Sequence, residues 1–433
     1  MARLGGRAWG VELMARWLGL GAALVVAALA GAGVWWGLSN GKPKPCLDPL
    51  GCVEIAPGGA IRLGVIQALT GKVAPIGQDQ LRGLELALDR KGGRLLDHPV
   101  ELVIEDTGCR QEGGANAALR IVSDPSVVAI FGTTCSGDAA AAAQVMTEAG
   151  LSMISGNNSA PFLTSIGGKR APKWQPGYFR TSSNEEHSGP AAARYAYEGL
   201  GVRAAAMVHD GDIYTRGLAE GFRAEFERLG GRTVLFAAVD KGDANMRPLL
   251  EAVAASKAEL LFFPLFQPEG NHVLLTARAM PEMVGVKLMS DGALIEKSFI
   301  EAVGEASKGM YFVGPTPPAP GPALDALRAQ YQAKYRATPA TDYYASAFDA
   351  AGILFAAITK AAVAGKDGSL VIGRQALRDA LAATADYPGL GGKLRCDGFG
   401  DCATPRFNVL RMDDPAQGVA GLTANVVFTY VPR

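Results

Sequence analysis

The 433-residue chain lacks the marks of the common enzyme classes. It has only four histidines (His98, His187, His209 and His272), and none stands in a His-Glu-x-x-His arrangement, so a helix-borne zinc protease site is excluded. No Gly-x-Ser-x-Gly turn is present to carry a serine nucleophile. Gly71-Lys72 resembles the end of a phosphate-binding loop, but Val73 replaces the required Ser or Thr and no glycine lies five residues before Gly71. No Gly-x-Gly-x-x-Gly follows the first strand, which removes the dinucleotide fingerprint. No Cys-x-x-Cys spacing suggests structural zinc. Together these absences argue against a hydrolase, an NTPase or a dehydrogenase, and imply no metal and no cofactor. Charge of one sign is missing too. Lys plus Arg and Asp plus Glu number 42 each, with no block of like charges, so nucleic acid is not an expected partner.

What is present is a large apolar fraction, 48%, with 19% charged residues, enough for a sizeable core. The length exceeds one ordinary core and suggests two lobes or more. The six cysteines fall into three close pairs, Cys46/Cys52, Cys109/Cys135 and Cys396/Cys402. An even count in local pairs suits disulfides in an oxidising compartment; six buried free thiols are the alternative.

The N-terminus points the same way. Residues 17–41 carry no charge, and 18–38 are nearly all apolar, long enough to span a bilayer. Arg3, Arg7 and Arg16 precede this run, and Trp17, Trp35 and Trp36 flank it as interfacial anchors would. Residues 1–38 read as an uncleaved membrane anchor; a cleaved signal peptide, with Ala28-x-Ala30 as its processing site, is the alternative. No lipobox precedes Cys46. Residues 39–58 read as a Pro/Gly-rich linker with a small disulfide loop.

Beyond residue 59, strand and helix patterns alternate. Strands are expected at 61–69, 99–105, 127–131 and 151–154. A second series follows at 204–209, 232–239, 258–264 and 286–289, with helices at 187–200, 214–229, 246–255, 269–279 and 295–303. Such alternation predicts parallel sheets in α/β lobes. From residue 322 two long helical runs (323–336 and 342–364), a third at 374–383 and short strands at 393–394, 406–410 and 425–430 form a tail that completes both sheets.

Residues 99–164 are the most informative stretch. A strand ends at Asp106 and Cys109 follows; a second ends in Gly132, and Cys135 and Ser136 follow, Ser136 opening an Ala-rich helix. Both cysteines therefore sit past C-terminal strand ends, the edge where open α/β sheets bind ligands. A hydroxyl and backbone N–H groups at a helix start form a seat for an anion such as a carboxylate.

The segments ALTGKVAPIGQDQLRGLELAL, EDTGC, FGTTCSG and MISGNNSAPFLT resemble the periplasmic leucine/isoleucine/valine-binding protein family, as do YFRTSSNEEHSGPAAARY, AAMVHDGDIYTRGLAEGF and YYASAFDAAGILFAAITKA. The resemblance covers about residues 59–433. It implies a type I periplasmic binding protein fold of two α/β lobes joined by a multi-crossover hinge. Lobe 1 would comprise residues 59–181 and 314–390, and lobe 2 residues 182–313 and 391–433. It also implies capture of an amino acid or small amide in the interlobe cleft, an ABC permease as partner, and a monomer in the periplasm or at the cell surface. A membrane-anchored sensor on the same fold is the rival role.

The resemblance also assigns residues. Ser136 would bind the ligand carboxylate and Ser159 supply a second hydroxyl. Asn157 stands where a backbone carbonyl meets the ammonium and where the family often has a small residue. Tyr214 would reach the ligand from the second lobe. Asp291 would pair with the ammonium in place of the more usual Glu, and Glu185 falls near a further acidic position at the hinge. Ile76 and Phe266 would wall the ligand side chain; both are less polar than the family's usual residues, which favours leucine, isoleucine or valine, whereas Asn157 favours a polar group. Plain alternatives exist for each: Ser136 as a helix cap, Asp291 as a turn former, Glu185 as an exposed cap, Ile76 and Phe266 as core. A Cys109–Cys135 disulfide is expected to hold the loop that carries Ser136.

Overall fold

Two runs of apolar residues buried on both faces, Val127–Gly132 and Ala204–His209, form the inner strands of two separate sheets in the computed structural model, which describes residues 45–318 and 320–432. Strands buried on both faces read as continuous apolar runs because helices cover each side of a parallel sheet. The first sheet has the order Arg94–Leu95, His98–Asp106, Ile61–Gln67, Val127–Gly132, Met153–Ser155, Tyr178–Arg180, parallel except for its first pair. The second has the order Arg232–Ala238, Ala204–His209, Leu260–Phe262, Lys287–Asp291, Tyr311–Pro315, all parallel, with Phe407–Arg411 and Val426–Tyr430 added antiparallel. The mixed α/β architecture expected from the alternation is therefore present.

The tail divides between the two sheets. The helix Tyr343–Ala361 packs against Ala74–Asp89 beneath the first sheet, where a Cβ on Gly83 would lie 2.4 Å from the Tyr344 carbonyl oxygen. Only glycine lets the two backbones come that close. Leu394, Cys396 and Cys402 also belong to the first core, against the expectation that residues 391–433 all join the second. Arg180 and Asp401 form a bridge at the open edge of the first sheet, which draws this hairpin there. Conversely Gly314 and Pro315, expected with the first lobe, pair with Asn408 and Phe407 in the second sheet.

Three further expectations need correction. Within the stretch read as a linker, Cys52–Ile55 forms a strand paired with Leu370–Gly373, because alternate residues Val53 and Ile55 find a buried face. The helix expected over 187–200 is broken into a 3₁₀ turn Glu185–His187, the helix Ser188–Arg194 and a wide turn Tyr195–Gly199. The helix expected to end at 364 stops at Ala361, and Ala362–Ala364 pairs as a strand instead. The three local cysteine pairs are all disulfides, and no free cysteine remains among the described residues. Among these residues no helix is long and apolar enough to cross a membrane; the anchor or signal reading of residues 1–38 lies outside them.

Candidate functional site

Strand ends and helix starts from both sheets meet at one cleft. On the first side, the Ala74–Asp89 helix begins hard against the end of Ile61–Gln67, where a Cβ on Gly77 would lie 2.0 Å from the Ala68 carbonyl oxygen. Pro75 at the helix start is suited to this position because it needs no hydrogen-bond acceptor there. Ile76 therefore sits in the first turn of this helix.

Ser136 is the first helical residue of Ser136–Glu148, preceded by Cys135 in extended conformation, so it is not the cap. Its hydroxyl accepts from the Ala160 amide at 3.2 Å, which ties the helix start to the 155–160 loop. The first amides of this helix have no intrahelical acceptor. The Cys109–Cys135 disulfide fastens the same turn. In the 155–160 loop the Asn157 side-chain nitrogen donates to the Thr134 carbonyl at 2.6 Å. One hydrogen of that amide braces the loop, and Asn157 still lines the cavity, so the polar contact expected from it stays open.

On the second side, Tyr214 stands one residue inside the helix Ile213–Arg228, whose cap Asp212 accepts from the Tyr214 amide at 3.0 Å. Phe266 follows the strand Leu260–Phe262 and lies 5.4 Å, ring to ring, from Tyr214. Six of the eight expected residues, Ile76, Ser136, Asn157, Ser159, Tyr214 and Phe266, line one cavity. The space between its atoms is about 280 Å³, including what opens to solvent. Thr134, Ala293 and Tyr343 complete the lining and were not selected from the sequence. Thr134 could have been found from its place beside Cys135. Tyr343 comes from the start of a distant helix, and nothing local in the sequence signals its arrival.

The other two, Glu185 and Asp291, form the wall behind Tyr214. Asp291 ends the strand Lys287–Asp291, is fully buried, and accepts from the Tyr214 hydroxyl and from the Ala293 amide at 3.3 Å. Burial raises its carboxyl to about 7 against those hydrogen bonds. Glu185 is 2% exposed, and neither carboxylate oxygen has a hydrogen-bond partner among the described residues. Burial, reinforced by the nearby Asp291, pushes Glu185 up to about 8; the Ser159 and Tyr214 hydroxyls oppose this. Asn184, not Glu185, caps this turn by accepting from the Glu186 amide, and Glu186 itself accepts from the Gly167 amide at the surface. The structure thus separates the adjacent acids: Glu185 faces inward and Glu186 outward.

No Lys, Arg or His side chain lines the cavity. Arg180, whose charge acts on Glu185, is fully committed. It pairs through Nε with Asp401 at 2.5 Å and donates to the Ala160 carbonyl at 2.8 Å and the Thr164 hydroxyl at 2.5 Å. At the rim, a Cβ on Gly137 would lie 2.6 Å from Asp212 Oδ2, which also pairs with Lys241 at 2.9 Å. Beside them Asp138 is raised to about 7 by burial and, secondarily, by the Asp212 charge. The one cluster of metal-type donors among the described residues, Cys109, Cys135 and Asp138, cannot serve, because both sulfurs are bonded to each other.

Comparison with known proteins gives one direction. The periplasmic binding protein family matches residues 60–413. The Leu/Ile/Val-binding protein BraC3 of Rhizobium johnstonii is 27% identical over 360 residues, covering 82% of this chain and 92% of the relative. Among solved structures, the leucine binding protein LivK from Thermotoga maritima superposes with a TM-score of 0.72 at 23% identity, covering 86% of this chain and 99% of that one. A solute binding protein of an ABC transporter from R. palustris, in complex with 4-hydroxybenzoate, superposes with a TM-score of 0.71 at 18% identity, covering 86% and 97%. At these identities the structural likeness speaks for the fold alone.

Proposed function

The chain belongs to the periplasmic binding protein family, and we propose that it captures a free amino acid with an apolar side chain and presents it to an ABC importer. The single observation that carries the ligand class is the polarity of the cleft. Its lining offers the hydroxyls of Thr134, Ser136 and Ser159 beside a helix start, the buried carboxylates of Asp291 and Glu185 lie behind Tyr214, and no basic side chain lines it among the described residues. A zwitterion fits this arrangement at both ends. Its carboxylate meets Ser136 and the amides of the Ser136–Glu148 helix, and its ammonium meets the Asp291 and Glu185 side. Ile76, Phe266 and Ala293 supply the apolar wall, which supports leucine, isoleucine or valine as the side chain. A benzoate, the ligand class of one neighbour of this fold, would leave both acids unmatched.

The two sheets act as lobes that close on the ligand, in this reading, and the strands passing between them form the hinge. Three disulfides suit the extracytoplasmic location that the family implies. Residues 18–38 would direct export or tether the protein to the membrane, and the protein would act as a monomer. Titration calorimetry with L-leucine, L-isoleucine, L-valine, short amides and benzoate tests the reading. Saturable one-to-one binding of the branched-chain amino acids, weakened at least tenfold by Ser136→Ala and by Tyr214→Phe, supports it. Binding of benzoate or amides alone would overturn the ligand class while leaving the fold assignment intact.

A further inference from the structure

Glu185 and Asp291 reach the same tyrosine from two sides. Glu185 follows the last strand of the first sheet, and Asp291 ends a strand of the second. The Tyr214 hydroxyl has one proton to donate, and it goes to Asp291. Glu185 is left with neither oxygen bonded. The charged and titratable groups that face the pair are Tyr214 from its helix, Tyr343 from the start of the Tyr343–Ala361 helix, and Arg180 from the adjoining strand. Neither tyrosine is cationic, and Arg180 is already bound to Asp401 and to backbone and hydroxyl oxygens. Two ionised carboxylates so placed repel each other and have lost their water, so one of them keeps its proton.

We propose that the unliganded cleft holds one proton on the Glu185–Asp291 pair and that the ammonium group of the ligand displaces it, so that capture exchanges a proton for an ammonium. This inference rests on the amino-acid reading above. The balance is simple. The carboxylic O–H bond of the pair breaks and its proton passes to solvent, while the ammonium enters with one positive charge. The pair carries a net charge of minus one before capture, and the ionised pair together with the ammonium group carries minus one after it. A carboxylate ligand without an amine brings no cation to exchange, so the pair acts as a selectivity filter against it. The position of the proton on Glu185 agrees with its full burial beside Asp291 and with its upward shift.

The test is titration of the full-length protein with L-leucine in two buffers of different ionisation heat, phosphate and Tris, over a range of pH. The expected result is release of roughly one proton per leucine at pH ~7.5, between the values of the two acids, with affinity falling as pH is lowered from there. Glu185→Gln removes the titrating group while keeping the shape, and should abolish the proton release. Leucine binding with equal heats in both buffers and no change of affinity with pH would overturn the exchange, as would proton release that persists in Glu185→Gln. Absence of leucine binding at any pH would instead overturn the functional reading on which the exchange rests, and the exchange with it.

Discussion

Arg180 Nε lies 2.5 Å from Asp401 Oδ1, with 0% and 11% of the two side chains exposed. Asp401 comes from the Cys396–Cys402 loop, more than two hundred residues away in the chain, and its other oxygen accepts from the Asn184 side chain at 3.0 Å. Arg180 in turn holds the carbonyl of Ala160, whose amide donates to Ser136. The tail of the chain thus steadies the Ser136 side of the cleft through one buried ion pair.

Asp401→Asn should therefore lower both stability and affinity. Breaking a buried pair from one side strands the other charge, which typically costs about 3–5 kcal/mol. Thermal unfolding with and without L-leucine measures both effects. A melting temperature within a degree or two of the parent's would show that the pair is dispensable.

Gly137→Ala should keep the fold and weaken capture. Alanine favours the helix by about 1 kcal/mol over glycine, but its Cβ would stand 2.6 Å from Asp212 Oδ2. Either Asp212 turns away from its Tyr214 cap and Lys241 pair or the two helix starts separate, and each loosens the cleft in which the proposed ligand would be enclosed. The expected outcome is an unchanged or higher melting temperature with at least tenfold weaker leucine binding. Unaltered affinity would mean that the close approach of Gly137 and Asp212 plays no part in binding.

The unliganded protein should lose stability as pH rises through neutrality. Glu185 is raised to about 8, and Asp291, Asp138, Glu296 and Asp349 each to about 7, all chiefly by burial. Exposed in the unfolded chain, these acids titrate near 4.5 or 3.8. Between those values and the raised ones the folded state binds more protons than the unfolded, so stability falls with rising pH and returns on acidification. Asp124 and Glu225, held low by hydrogen bonds from Ser126 and Arg228, act in the opposite sense at lower pH. Their stabilisation is lost as pH falls through their folded values. A melting temperature highest at about pH 4, near the unfolded-state carboxylate values, and falling towards pH ~8 is expected from the two trends together. Scanning calorimetry across this range decides it, and a melting temperature that climbs steadily from pH ~5 to pH ~8 would rule it out.

Replacing Cys109 and Cys135 together by alanine should cost about 2–4 kcal/mol, the usual contribution of a bridge closing a loop of this size. Because Cys135 immediately precedes Ser136, leucine affinity should fall as well. Denaturant unfolding and calorimetry on the same variant separate the two effects. Loss of stability without loss of affinity would confine the disulfide to a structural role.

The alternation of apolar strands with amphipathic helices was legible because each strand must be buried on both faces and each helix on one, and those periods are written locally. Tyr214 and Asp291 were singled out only by the family resemblance, whereas the place of Ser136 past a strand end at a helix start was legible in the same local way. The local cysteine pairs belong here too, since short loops bring their members together whatever the rest of the chain does. Other features were decided only by the tertiary structure. Glu185 and Glu186 are identical neighbours in sequence, and a 3₁₀ turn against the second sheet sends one inward and one outward. Tyr343 and Asp401 reach the site from remote segments, and Cys52–Ile55 became a strand when Leu370–Gly373 offered it an edge. The proton affinity of the acid pair belongs to the same class. It depends on burial and on the absence of a nearby free cation, which are properties of the assembled cleft and of no single stretch of the chain.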